Sequence, residues 1–132
     1  MSKIVIIGAG AMGTAFSLPC LDNNHDVSIV GTHLENEFID SLKQKENLHP
    51  GLKTKIPNEI KIVKFEKFDE VIKSNVELIV LGISSKGVEW VADQLSKLFK
   101  DKKLPNLLML TKGLSIHNNQ YELLVDKLER LL

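Results

Sequence analysis

The stretch that decides the fold runs from residue 4 to residue 13 and reads IVIIGAGAMG. Its first four residues are all β-branched, which indicates a strand buried on both faces of a parallel sheet. Three glycines with the spacing G-x-G-x-x-G follow at once, and a helical pattern then extends to about residue 23. This order of strand, glycine-rich turn and helix is typical of a unit that binds a dinucleotide.

Each glycine of the turn has a distinct physical role in such a unit. Gly8 permits the tight turn, Gly10 leaves room for the pyrophosphate, and Gly13 lets the helix pack closely on the strand. The amides of Ala11 and Met12 would point at the phosphates, at a helix end that carries about half a positive charge. A glycine turn without a ligand is the alternative, but the strand and helix around it favour a dinucleotide site.

Outward from this turn, short apolar runs alternate with longer amphipathic stretches. Strands are predicted at 4–7, 26–30, 60–65, 77–81 and 107–110, and helices at 10–23, 35–45, 66–74, about 88–99 and 120–132. Two prolines and a glycine predict a loop at 47–58. The pattern predicts an α/β fold: a Rossmann doubly wound parallel sheet of about five strands, ordered 3-2-1-4-5, in a single domain over 1–132.

Composition narrows the classes of partner. The chain has 132 residues, 43% of them hydrophobic, and a formal net charge of zero, which gives no reason to expect nucleic acid or a membrane surface as partner. No apolar run approaches the roughly 20 residues that span a bilayer. Cys20 is the only cysteine and the four histidines are scattered, so we expect no disulfide, no metal site and a reducing, cytoplasmic setting.

The choice between NAD and NADP stays open at this stage. An acidic residue about 20 positions after the glycines would bind the ribose hydroxyls of NAD. That place holds Thr32 and His33, between Gly31 and Leu34. The Thr32 hydroxyl could bind either a ribose hydroxyl or a 2′-phosphate. Glu35 follows as a late acid, but we interpret it as the cap of the next helix.

Two further segments lie where parallel strands end, and ligands of such folds bind there. Ser84 follows the fourth strand, either as a cofactor contact or as a helix cap. Lys112 follows the fifth strand and offers a positive charge to a phosphate or to a developing oxyanion. From spacing alone, a functional lysine and a solvated lysine before a turn are equally favoured. Trp90 is interpreted as a packing residue of its helix.

Four stretches together carry a family resemblance: GAGAMGTAF at 8–16, DNNHDVSIVGT at 22–32, LGISSK at 81–86 and TKGL at 111–114. The chain resembles the N-terminal domain of NAD(P)-dependent glycerol-3-phosphate dehydrogenase, which reduces dihydroxyacetone phosphate with NADH or NADPH. The resemblance implies that Ala11, Met12 and Thr32 contact the cofactor. It also implies that Lys112 lies between the nicotinamide and a small phosphorylated substrate.

The family continues into a helical domain that bears the general base, and these 132 residues do not include it. We therefore expect this chain alone to bind NAD or NADP with little or no turnover. Two alternatives stay open: a free-standing dinucleotide-binding or redox-sensing module, and the cofactor domain of another Rossmann dehydrogenase. The leucine-rich final helix also offers a surface for a homodimer, although covering the last strand of the sheet is its ordinary explanation.

Overall fold

A computed structural model describes residues 1–132. Its strands and α-helices follow in the order β1 (Lys3–Ile7), α1 (Ala11–Asp22), β2 (Asp26–Val30), α2 (Asn36–Gln44), β3 (Leu48–His49), β4 (Thr54–Lys55), β5 (Lys61–Val63), α3 (Phe68–Ile72), β6 (Leu78–Leu81), α4 (Val88–Leu98), β7 (Asn106–Met109), β8 (Leu114–His117), β9 (Gln120–Leu123) and α5 (Leu124–Leu131). Short 3₁₀ turns at Phe65–Lys67 and Ser85–Gly87 lead into α3 and α4.

Five strands form the central sheet, in the order β5-β2-β1-β6-β7 and with every pair parallel. In chain order these are the third, second, first, fourth and fifth main strands, so the predicted topology is confirmed. The direction of winding reverses between β1 and β6. In open parallel sheets, ligands bind beyond the carboxyl ends of the strands at this point.

The sheet is buried on both faces, which explains the uninterrupted apolar run of β1. Ile4 and Ile6 pack into one core cluster, together with residues of α1, α2, β2 and β5. Val5 and Ile7 pack into the other, with residues of α3, α4 and α5. Successive side chains of a strand point to opposite faces, so a strand between two layers of helices must be apolar at every position.

The loop predicted at 47–58 contains an unpredicted hairpin. Strands β3 and β4 pair antiparallel, with Leu48 opposite Lys55 and His49 opposite Thr54. Each strand has only two residues, too few for an alternating pattern to appear in the sequence. The hairpin matters because His49 connects it to the glycine-rich turn.

The helix predicted at 120–132 is wrong over its first four residues. Asn118 and Asn119 have φ angles of 51° and 63° and form a two-residue turn that folds β8 back on β9. Helix α5 begins only at Leu124, and it buries Leu124 and Leu128 while Leu123, Leu131 and Leu132 stay exposed. The buried leucines pack in the core cluster of α4, so this helix covers one side of the sheet.

The five α-helices are short, and none has the length and apolar character needed to cross a bilayer.

Candidate functional site

Two of the three motif glycines are required by the backbone itself. Gly8 has a φ of +106°, and a Cβ there would clash with the carbonyl oxygen of Gly82 at the end of β6. A Cβ on Gly13 would lie 3.1 Å from the Gly8 oxygen and from Cγ2 of Ile6. Helix α1 therefore packs against the strands at van der Waals distance only because both residues lack a side chain.

Gly10 differs from these two glycines because nothing in the protein requires it. Its φ and ψ of −69° and 177° are extended angles that any residue adopts, and no heavy atom lies within 4 Å of the position of a Cβ. The space in front of Gly10 is open. A glycine at this place keeps the backbone accessible to something outside the chain, and a pyrophosphate fits that space chemically.

The first turn of α1 presents free backbone donors to the same space. No side chain caps the helix, and its first bond runs from the Thr14 amide to the Gly10 carbonyl at 3.0 Å. Ala11 and Met12 are exposed, and amides in the first turn have no acceptor within the helix. The arrangement can bind an anion through backbone N–H groups and the helix dipole.

Ala9, in the middle of the turn, makes hydrogen bonds through both its backbone N–H and its backbone carbonyl. Its N–H lies 3.2 and 3.1 Å from the two carboxylate oxygens of Glu35. Its carbonyl accepts hydrogen bonds from His49 Nε2 at 2.9 Å and from the Thr14 hydroxyl at 3.3 Å. Three side chains, two of them from distant parts of the sequence, thus fix the orientation of the two peptide groups on either side of the Ala9 Cα.

The interpretation of Glu35 as a side-chain cap of α2 is wrong. Its backbone occupies the N-cap position, but its side chain makes no capping bond. The carboxylate instead accepts from the Thr32 amide at 2.9 Å and from Ala9. Both donors belong to the strand-to-helix turns after β1 and β2, so the acid lies between the two turns.

His49 is the contact that sequence reasoning missed. Its side chain is 3% exposed, and its Nδ1 accepts from the amides of Gly51 at 3.1 Å and Leu52 at 3.3 Å. Phe38 of α2 packs edge-on against the imidazole, with 5.4 Å between ring centroids. The only sequence signal was a histidine before a proline, which does not indicate burial.

A cleft of about 550 Å³ opens beside the glycine-rich turn. Its lining residues come from the turns after β1, β2 and β6 and from the first turn of α4: Gly8, Gly10, Thr32, His33, Leu34, Glu35, Gly82, Ile83, Ser84, Lys86, Gly87 and Trp90. The rings of His33 and Trp90 lie 4.8 Å apart, and Trp90 also packs on Phe65 and Phe68. Trp90 is therefore a packing residue, as predicted, and it also lines the cleft.

A smaller cleft of about 220 Å³ contains the predicted residues from the other side of the site. Met12, Ser84 and Lys112 all line it, although they are far apart in sequence. The Thr111 hydroxyl donates to the Ile83 carbonyl at 2.7 Å, which links the turn after β7 to the turn after β6. Lys112 is exposed, and Ser84 precedes the 3₁₀ turn without a side-chain capping bond.

Three features outside the two clefts bear on other kinds of site: a separate hollow, the metal-ligating side chains and the thiol. A hollow of about 710 Å³ lies between α2 and the β3–β4 hairpin, away from the glycine-rich turn. Lys55 and Glu46 on its wall pair with each other at 3.0 Å. No three histidine, cysteine or acidic side chains lie close enough together to hold a metal ion. Burial raises the pKa of the lone thiol, Cys20.

Sequence comparison gives one family and a consistent set of relatives. The family described as NAD-dependent glycerol-3-phosphate dehydrogenase N-terminus matches residues 3–132. An NADP(+)-dependent glycerol-3-phosphate dehydrogenase of Archaeoglobus fulgidus is 34% identical over 116 residues, which cover 88% of this chain and 33% of the relative. A glycerol-3-phosphate dehydrogenase [NAD(P)+] of Lactococcus lactis is 31% identical over 112 residues, 85% of this chain and 31% of the relative. The chain spans about a third of the length of these relatives.

Comparison with solved structures supports the fold. Glycerol-3-phosphate dehydrogenase from Coxiella burnetii superposes with a TM-score of 0.68 at 20% identity, over 86% of this chain and 33% of that one. A complex of D-mandelate dehydrogenase with NADH gives a TM-score of 0.61 at 22% identity, over 98% of this chain and 35% of that one. At these identities the likenesses concern the fold alone.

Proposed function

The chain belongs to the family of N-terminal domains of NAD-dependent glycerol-3-phosphate dehydrogenases, and from that premise we propose that it is the cofactor-binding part of such an enzyme. The cofactor is NAD or NADP. The reaction of the whole enzyme is the interconversion of dihydroxyacetone phosphate and sn-glycerol 3-phosphate. The chain covers about a third of its relatives, so catalysis needs residues that these 132 do not include.

The open space at Gly10 is the observation that carries this proposal. The fold accepts any residue there, whereas Gly8 and Gly13 are fixed by close contacts. The turn presents the amides of Ala11 and Met12 to that space, and hydrogen bonds hold the backbone N–H and carbonyl of Ala9 in place. A pre-organised set of donors binds a pyrophosphate without spending binding free energy on ordering the loop.

The cofactor contacts follow from the two clefts. Gly8, Gly10 and Gly13 shape the turn, Ala11 and Met12 bind the phosphates, and Thr32 and Ser84 contact the nucleoside portions from the ends of β2 and β6. When bound, the cofactor supplies the hydride. Those positions at the carboxyl ends of three parallel strands are where dinucleotides bind in this fold.

Lys112 is the residue of this chain that we assign to the reacting end. It shares the smaller cleft with Met12 and Ser84, so its ammonium group can reach both the cofactor and a substrate placed there. A lysine in that position attracts a phosphorylated substrate and stabilises negative charge on the substrate oxygen. Proton transfer to that oxygen requires a second group, which the part of the family beyond these residues carries.

A fluorescence titration with NADH and then NADPH tests cofactor binding. Trp90 is the only tryptophan and lines the larger cleft, so a bound dihydronicotinamide cofactor should quench its emission. Gly10→Val should weaken binding by at least about tenfold, since its side chain fills the space for the phosphate. Ala15→Val adds the same side chain at an exposed position of α1 and should leave affinity unchanged.

Binding that Gly10→Val leaves intact, or no binding to either cofactor by the folded chain, would refute the proposal. Adding dihydroxyacetone phosphate to the NADH complex tests whether catalysis needs residues that these 132 do not include. Turnover within the usual enzyme range of about 1–10³ s⁻¹ would contradict the dependence on further residues.

Location and assembly are the remaining parts of the proposal. The single buried thiol suits a reducing, cytoplasmic setting. A homodimer through the leucine-rich end of the chain stays a prediction, and sedimentation velocity of the purified chain measures it directly.

A further inference from the structure

His49 joins the β3–β4 hairpin to the glycine-rich turn through both of its ring nitrogens. Its Nε2 lies 2.9 Å from the Ala9 carbonyl oxygen, and its Nδ1 accepts from the amides of Gly51 and Leu52. A carbonyl oxygen only accepts hydrogen bonds and a backbone amide only donates them. The three partners together therefore require a neutral ring with its proton on Nε2.

Resting on the proposed function, we propose that His49 is a positioning residue of the cofactor site. Its Nε2–H holds the peptide between Ala9 and Gly10 so that the Gly10 N–H points away from the hairpin and stays free for a cofactor phosphate. The C=O and N–H of a trans peptide point in opposite directions, so a bond that fixes one also fixes the other. The Gly10 amide has no acceptor within the chain, and Gly10 lines the larger cleft.

Gly10 needs such a contact because its own backbone is unconstrained. Glycine adopts more backbone conformations than any other residue, and no heavy atom lies within 4 Å of the position of a Cβ here. Rotation of the peptide would turn the Ala9 carbonyl oxygen, which carries a partial negative charge, toward the phosphate. A hydrogen bond that suppresses this rotation in the free chain removes part of the cost of ordering the turn on binding.

The Thr14 hydroxyl does not duplicate the role of His49. It also donates to the Ala9 carbonyl, but at the longer distance of 3.3 Å and from α1, the helix that follows the turn and moves with it. His49 donates from a different part of the chain, and it is 3% exposed. Its loop also packs on the start of α1, since a Cβ on Gly51 would lie 3.4 Å from that of Ala11. The hairpin thus holds the turn from outside the unit of strand, turn and helix.

Two amide substitutions separate this role from a purely structural one. The shorter side chain of His49→Asn places its oxygen near the position of Nδ1, where it can accept from the amides two and three residues further on, but it does not reach Ala9. The side chain of His49→Gln is one bond longer, so its NH₂ group reaches the position of Nε2. His49→Asn therefore keeps the hydrogen bonds of the loop, whereas His49→Gln keeps the bond to the turn.

The test measures cofactor affinity by Trp90 quenching, with whichever of NADH and NADPH the unmodified chain binds more tightly, and stability by urea unfolding. His49→Asn should weaken binding about fivefold to tenfold, which corresponds to the loss of one hydrogen bond. His49→Gln should bind within about twofold of the unmodified chain, even where it unfolds at less urea. His25→Asn is the matched control and should leave affinity unchanged. His25 also accepts from a backbone amide, that of Ser2, but it precedes β2 at the amino ends of the strands.

Equal affinities of His49→Asn and the unmodified chain would overturn this inference while the cofactor site itself stands. A loss in His49→Gln as large as in His49→Asn would overturn it too, since the histidine would then act only through the fold of the hairpin. Absence of binding to either cofactor by the unmodified chain would refute the proposed function and this role with it. If the variants do not fold, nitrogen-15 spectra of the imidazoles of the unmodified chain decide. A proton on Nδ1 of the buried histidine, or a ring resonance that the cofactor leaves unmoved, contradicts the inference.

Discussion

Replacing His49 with alanine tests whether the hairpin holds the glycine-rich turn. The imidazole makes three hydrogen bonds, one to the Ala9 carbonyl and two from the Gly51 and Leu52 amides. It also packs edge-on against Phe38. The substitution removes all four interactions and leaves a small cavity behind a residue that is 3% exposed.

The expected loss of stability depends on whether each hydrogen-bond partner of His49 finds another partner after the substitution. A typical hydrogen bond contributes about 1 kcal/mol net. The Ala9 carbonyl keeps the Thr14 hydroxyl, and the amides of the exposed Gly51 and the half-buried Leu52 can turn to water. The aromatic contact adds about 0.5–1.5 kcal/mol. We expect His49→Ala to lower the free energy of unfolding by about 3.5–4.5 kcal/mol, out of roughly 7–20 kcal/mol for a domain of this size.

Urea unfolding followed by far-ultraviolet circular dichroism measures this loss. The midpoint should fall while the slope with denaturant stays constant, because the surface exposed on unfolding hardly changes. His25→Ala is the matched control, since His25 accepts one hydrogen bond, from the Ser2 amide at 3.1 Å. The control should cost about 1 kcal/mol. His49→Phe separates the contribution of the hydrogen bonds from that of the aromatic contact, because it keeps an aromatic ring beside Phe38 and removes the hydrogen bonds.

The reasoning fails if His49→Ala destabilises the chain no more than His25→Ala does. It also fails if His49→Ala lowers the unfolding free energy as expected yet leaves NADH affinity unchanged under conditions where the chain is folded. In that case the peptide between Ala9 and Gly10 would keep its orientation without the histidine.

Two further predictions follow from the turn and from the C-terminal hairpin. Gly8→Ala should lower the free energy of unfolding by more than about 3 kcal/mol or prevent folding, because it combines a φ of +106° with a backbone clash at Gly82. Gly10→Ala, in contrast, should change the free energy of unfolding by less than about 1 kcal/mol. Equal denaturation midpoints for the two variants would contradict this prediction. The hydrogen bond from Arg130 lowers the pKa of Glu122 in the folded chain. The unmodified chain should therefore be more stable than Glu122→Gln above the unfolded pKa of about 4.3, and this difference in stability should disappear as the pH falls through the lower folded pKa. An advantage that persists at pH 2 in urea denaturation would rule out this carboxylate as its source.

Local patterns in the sequence determined the layers of the fold and their order. Four β-branched residues before three glycines predict a buried strand and its turn, because a strand between two layers of helices must be apolar throughout. The alternation of such runs with helical patterns predicts parallel strands, and the handedness of the crossovers then leaves few topologies. The roles of Gly8 and Gly13 could also be predicted, since they are steric properties of the turn.

Only the tertiary structure decided which distant side chains meet at that turn. Glu35 and His49 lie 26 and 40 residues from Ala9, yet one binds its backbone N–H and the other its backbone carbonyl. Sequence periodicity reports which face of an element is buried, but it carries no information on where a polar side chain of a loop finds its partner. The Asn118–Asn119 turn was missed for the opposite reason: the leucines after it match a helical spacing, and the pairing of β8 with β9 overrides that local pattern.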